Sequence, residues 1–139
     1  MFKYLRTAAS DYQPAEVKEF LSVGSEYPDS AVPKGSFFTV DEGVVQNDYT
    51  PSLPNYLALT GKKSNETAYV KCIPVYRNMI FEATISPEED KETFRTGGAC
   101  DISVDDTRKG VYVSMQGGPV FEIIDDTNRD NGTVTIRLM

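Results

Sequence analysis

Histidine is absent from this chain of 139 residues. That removes the usual general base near neutral pH, the Ser-His and Cys-His nucleophilic arrangements, and almost every zinc or iron site. No Gly-x-Ser-x-Gly elbow, no GxxxxGK[ST] phosphate loop and no GxGxxG fingerprint occurs either. No apolar run is long enough to cross a bilayer, and the N-terminal residues lack the apolar stretch of a secretory signal, so the chain is expected to be made and kept in a cytoplasm. There are only 2 cysteines, Cys72 and Cys100. Both fall inside strand patterns (VKCIP and ACDISV), where a free thiol acts as a small hydrophobe. Two reduced core thiols are expected, since a disulfide needs an oxidising compartment. Basic residues are few as well: 14 against 21 acidic, a net charge of −7. Neutralising phosphates requires a basic stripe, and none is visible, so direct nucleic-acid binding is not expected.

What the chain does contain points to an ordered β-rich core. Hydrophobic residues make up 40% and aromatics 11%, which argues against wholesale disorder, and the length suits one domain that stands without staples. The stretch 68–86, AYVKCIPVYRNMIFEATIS, reads as two strands folded about a Pro-containing link. Before it lie SFFTV, a DEG turn leading to VV, and YLALT; after it come ACDISV, GVYVSM, PVFEII and TVTIRL. Alternation is clearest where Val111, Val113 and Met115 oppose Tyr112 and Ser114, and where Val134, Ile136 and Leu138 oppose Thr133, Thr135 and Arg137. Each such strand has one dry face and one wet face. The fold class is therefore all-β: a small single-domain barrel or sandwich of short antiparallel strands. Between strands, residues 86–95 carry Ser-x-x-Glu with proline at the first position, which predicts a short capped helix or an acidic loop.

Residues 1–31 behave differently. They hold scattered aromatics and prolines with no sustained period of 2 or 3.6, so they read as an extended N-terminal arm ahead of a β domain over residues 32–139. Two local alternatives stay open: a turn of helix over 14–21, or an edge strand over 19–23. Phe2, Tyr4, Tyr12, Phe20 and Tyr27 lie in the segment least able to bury them in a core of its own. Aromatic anchors carry much of the energy of protein interfaces, so these five are the candidate partner-binding residues. The competing reading folds the arm back onto its own barrel.

Carboxylates are the remaining candidates for chemistry. Residues 125–132, DDTNRDNG, place oxygens at Asp126, Asn128 and Asp130 in an i, i+2, i+4 series resembling a calcium loop. The glycine arrives one position late, and Arg137 stands where a bidentate Glu would close the sphere, so a hairpin turn is expected instead. Asp101, Asp105 and Asp106 invite an acid/base reading, but DDTRKG has the composition of a solvated turn. The Gly97-Gly98 and Gly117-Gly118 pairs precede strand patterns rather than helix starts, which argues against phosphate cradles. The expectation is a protein that is not an enzyme and needs neither cofactor nor metal.

Several segments taken together, KGSFFTVDEGVV at 34–45, PNYLAL at 54–59, VKCIPVYRNMIFEATIS at 70–86, DISVDDTRKGVYV at 101–113, GGPVFEIIDD at 117–126 and NGTVTIRL at 131–138, resemble the small capsid decoration, or cement, proteins of tailed bacteriophages. The similarity covers about the last three-quarters of the chain. What the resemblance implies is a β-rich virion protein, made in the bacterial cytoplasm and bound to the outer surface of the assembled head, which it stabilises against internal DNA pressure. The partners it implies are the major capsid protein and neighbouring decoration subunits, with a homotrimer among the arrangements, and no membrane. Two other classes stay open: a virion-associated module at a fibre base or for host glycans, and a head-completion or tail component.

Overall fold

The computed structural model describes residues 1–7, 17–24, 31–46, 55–104 and 111–139. Among them run eleven strands: β1 (Phe2–Thr7), β2 (Lys18–Ser22), β3 (Phe37–Asp41), β4 (Val44–Gln46), β5 (Asn55–Ala58), β6 (Ala68–Val75), β7 (Met79–Thr84), β8 (Ala99–Val104), β9 (Val111–Ser114), β10 (Phe121–Asp125) and β11 (Thr133–Leu138). The all-β class is what the structure shows. The strands divide into two compact units: β2–β6 form one, while β1 and β7–β11 form the other.

The β2–β6 unit is a closed barrel in the order β2-β4-β3-β5-β6. Its β3–β4 hairpin turns at Glu42 and Gly43, with φ of 49° and 82°. Two consecutive left-handed residues make the turn whose twist matches that of the flanking strands, which is what the DEG signal predicts. Inside pack Val32, Phe38, Val45, Ala58, Val70 and Cys72, with Phe20, Val40 and Tyr56 against them. Phe38 is wholly buried and stacks on Tyr56 at 5.8 Å, while Phe20 meets the same ring edge-on at 4.9 Å. Burial of a Phe of this kind contributes about 2–3 kcal/mol.

The other unit is a six-stranded sheet in the order β1-β7-β11-β10-β8-β9. It curls until β9 meets the end of β7 at a bridge between Ile85 and Val113, where Ser86 N–H donates to the Val113 carbonyl at 3.1 Å. The curl wraps a core of Phe2, Phe81, Phe121, Ile123, Val134, Ile136 and Val113. β11 alternates as its sequence demands, with Val134, Ile136 and Leu138 buried and Thr133, Thr135 and Arg137 half-exposed. β9 departs from its pattern: Ser114 is buried, because its Oγ accepts the Gln116 N–H at 3.1 Å in the turn that follows.

Four expectations are corrected. The arm over 1–31 is replaced by two integral strands, β1 and β2. β1 lies antiparallel on β7, Phe2 opposite Ala83, and β2 lies antiparallel on β6 from Lys18–Cys72 to Ser22–Ala68. Of the two local alternatives, the strand is therefore found, and residues 14–16 of the helix reading lie outside the described residues. The boundary expected at residue 31 does not separate the two compact units, since β1 belongs with β7–β11 and β2 with β3–β6. The two strands within 68–86 do not pair with each other: β6 pairs with β5 and β2, and β7 with β1 and β11. Pro74 sits inside β6 rather than in the link, opposite Tyr56 of β5. Leu59 N–H donates to Lys71 O at 2.7 Å, so odd residues of β6 aim their backbone groups at β5 and even ones toward β2. Among the described residues the pairing of β2 with β6 reaches no further than Lys18–Cys72, two residues short of Pro74. Finally, the cap expected at Ser86 falls at Asp90, whose carboxylate accepts the Glu92 N–H at 3.0 Å over a single 3₁₀ turn, Lys91–Thr93. Glu89 instead accepts the Met115 N–H at 2.9 Å.

Removing residues 1–31 should therefore abolish cooperative unfolding, because it takes a stave from the barrel and an edge strand and core ring from the sheet. Phe2→Ala alone should destabilise by about 3–5 kcal/mol, read by chemical denaturation, through the cavity left beside Phe121. A truncated chain that keeps its β circular dichroism and melts cooperatively would restore the arm.

Candidate functional site

The five aromatic candidates are not presented together. Phe2 is 2% exposed and stacks on Phe121 at 5.6 Å, so it belongs to the core. Tyr4, half-buried, meets Phe81 edge-on at 6.1 Å. Phe20 is half-buried and turned to the barrel interior. Tyr12 and Tyr27 lie outside the described residues. For Phe2, Tyr4 and Phe20 the fold-back reading is the one the structure adopts, because β-pairing places their side chains on the dry face of a sheet.

Asp101, Asp125 and Asp126 spend their carboxylates on backbone N–H groups. Asp101, half-buried at the head of β8, accepts the Ile102 N–H at 2.7 Å and the Gly118 N–H at 3.1 Å. Gly117, at φ 116°, packs so close that a Cβ there would stand 2.5 Å from an Asp101 carboxylate oxygen. Asp101 is thus the anchor of the glycine turn between β9 and β10. Asp105 and Asp106 lie outside the described residues. In the 125–132 stretch, Asp125 accepts the Thr127 N–H at 2.9 Å, and that bond, with the Thr127 hydroxyl, holds its carboxyl below the usual range. Asp126 accepts the Thr96 N–H at 3.0 Å and faces the Arg129 guanidinium at 3.9 Å. Gly132 closes a 3₁₀ turn, Arg129–Asn131, in the left-handed region at φ 88°, and β11 follows. This is the expected hairpin. Among the described residues no group of three or more His, Cys, Asp or Glu is placed to hold a metal ion.

No protein-family model, curated protein or solved structure matches this chain. Its functional surface has to be argued from its own geometry.

That geometry offers a surface the sequence reading missed, on the outside of the barrel. Leu21 of β2 stands opposite Tyr69 of β6 on one side and Val44 of β4 on the other. Register partners share a face, so the three form an apolar row across three strands, with Val23 just past the end of β2 and the exposed Asp41 of β3 opposite Val44 at its far end. Tyr69 is 67% exposed and Val23 50% exposed, while Leu21 and Val44 are half-buried. One step along, exposed Glu19 opposes exposed Lys71. The signal was the alternation of VKEFLSV at 17–23, whose outward set is Val, Glu, Leu, Val.

Both thiols are free and buried, one in each unit. Burial pushes Cys72 up to about 11 and Cys100 up to about 12, the latter helped by the nearby Asp101 and Glu89 carboxylates. Each sulfur holds its proton more tightly folded than unfolded, where the ordinary value is 9.0. Their contribution to stability is therefore complete below pH 9 and is lost as pH rises toward 11 and 12. Denaturant titrations from pH 8 to 11 should show stability falling, with a shallower slope in Cys100→Ala. Native thiols should label slowly and number two per chain on denaturation; an unchanged slope, or rapid native labelling, would contradict the burial.

Proposed function

We propose that this chain is a noncatalytic structural protein of tailed-bacteriophage virions, a decoration protein that coats the outside of the assembled head and stabilises it against internal DNA pressure. The reading starts from the strand segments that resemble that family. The observation that carries it is the use of the polar groups: Asp101, Asp125, Asp126, Glu89 and Asp90 hold turns by accepting backbone N–H groups, which fits a scaffold better than a reaction centre.

A coat of this kind needs many modest contacts repeated over a shell, so its strength comes from multivalency and not from one deep pocket. A closed barrel that exposes a shallow apolar row suits that demand. The net charge of −7 suits a protein that faces outward and makes no direct contact with the packaged DNA. The partners are then the major capsid protein and neighbouring copies, on the outer surface of the virion.

The test mixes the purified protein with heads that lack it. Saturable, symmetric occupancy by electron microscopy, with DNA release moved to higher temperature, is the expected result. Heads that bind none of the protein would refute the assignment, and equal release temperatures with and without bound protein would remove the stabilising role.

A further inference from the structure

We propose that two copies of this chain associate face to face through the outer surface of the β2–β6 pair. The proposal stands apart from the decoration reading, since it concerns what this surface binds in any setting. The barrel is closed, so it has no free strand edge to extend, and a partner can join only by packing against a face. The face that is chemically equipped for this is the one bearing the Tyr69, Leu21 and Val44 row.

The charge pattern identifies the occupant. A partner of one strong charge sign would call for a rim of the opposite sign, but this rim carries both signs, with Glu19 and Lys71 directly opposite each other and Asp41 opposite Val44 at the far end of the row. Leu21 and Tyr69 are likewise register partners on the same two strands. A two-fold axis running between β2 and β6, parallel to them, exchanges the members of each pair. It sets Leu21 against the partner's Tyr69 and Glu19 against the partner's Lys71, twice each, in one operation. Such self-complementarity is what an isologous dimer requires. The strands of the two copies then run nearly aligned, the common way for sheets to pack. A standard interface engages roughly 20–30 residues a side, and this face offers only the handful named, so the dimer is weak and forms with rising concentration.

Sedimentation analysis of the full chain, from micromolar up to about 1 mM, should show the mass climbing from monomer toward dimer. Tyr69→Ser, which removes an exposed aromatic anchor present twice in the interface, should weaken association at least tenfold. Glu19→Lys and Lys71→Glu should each stay monomeric, because each places like charges across the axis. Mixed in equal amounts, they should associate again as a heterodimer, since both contacts regain opposite charges. In the wild type, amide resonances of residues 17–23 and 68–71 should shift with concentration, a readout that does not depend on any variant folding. A chain that stays monomeric throughout, a dimer indifferent to these changes, a mixture that fails to associate, or shifts confined to other residues would overturn the proposal.

Discussion

Pairing by the N-terminal strands is the constraint on which both units depend. The barrel becomes a barrel only because β2 bridges β6 and the short β4, and the curled sheet gains its outer strand and one of its core rings only when β1 lies on β7. Strand edges left unpaired present rows of unsatisfied N–H and C=O groups, so the β2 pairings remove that liability from the barrel, while β1 takes over from β7 as the edge of the sheet. The connectivity follows from them. Thr7 stands opposite Met79 in one unit, and Lys18 opposite Cys72 in the other. The chain thus leaves and re-enters each unit on adjacent strands, the arrangement that lets one β unit be inserted within another at little cost to either.

Strand existence was legible in the sequence wherever period two was clean. TVTIRL forms a strand as read, MIFEAT and FFTVD lie within a residue or two of the expected MIFEATIS and SFFTV, and Gly43 and Gly132 of the DEG and NG turns take the left-handed backbone that glycine favours. Partnership was not legible, because it is set by contacts far apart in sequence. Residues 68–86 look like a hairpin by every local sign, yet β6 and β7 pair with strands tens of residues away. β1 escaped notice for a related reason: its register shifts between Tyr4 and Arg6, and such a bulge breaks the alternation on which strand detection relies. The aromatics of β1 and β2 present themselves as partner anchors in local sequence because Phe121, Phe81 and Tyr56, the rings they pack against, lie far along the chain.

The candidate site shows the same division. Turn composition marks DDTNRDNG as a hairpin, which is what forms, whereas the anchoring of Gly117 and Gly118 by Asp101 depends on β8 and β9 being neighbours. The outward row of Tyr69, Leu21 and Val44 exists only once three strands stand side by side. No linear pattern could display it.

Hydrogen exchange tests the pairing account most directly. If β1 and β2 are integral strands, the amides of residues 2–7 and 18–22 that bond to β7 and β6 should exchange as slowly as those strands themselves, slowed by a factor on the order of 10³ or more relative to an unfolded chain. Free exchange across both segments, with β3–β11 protected, would show that each unit stands without its N-terminal strand and would contradict the account.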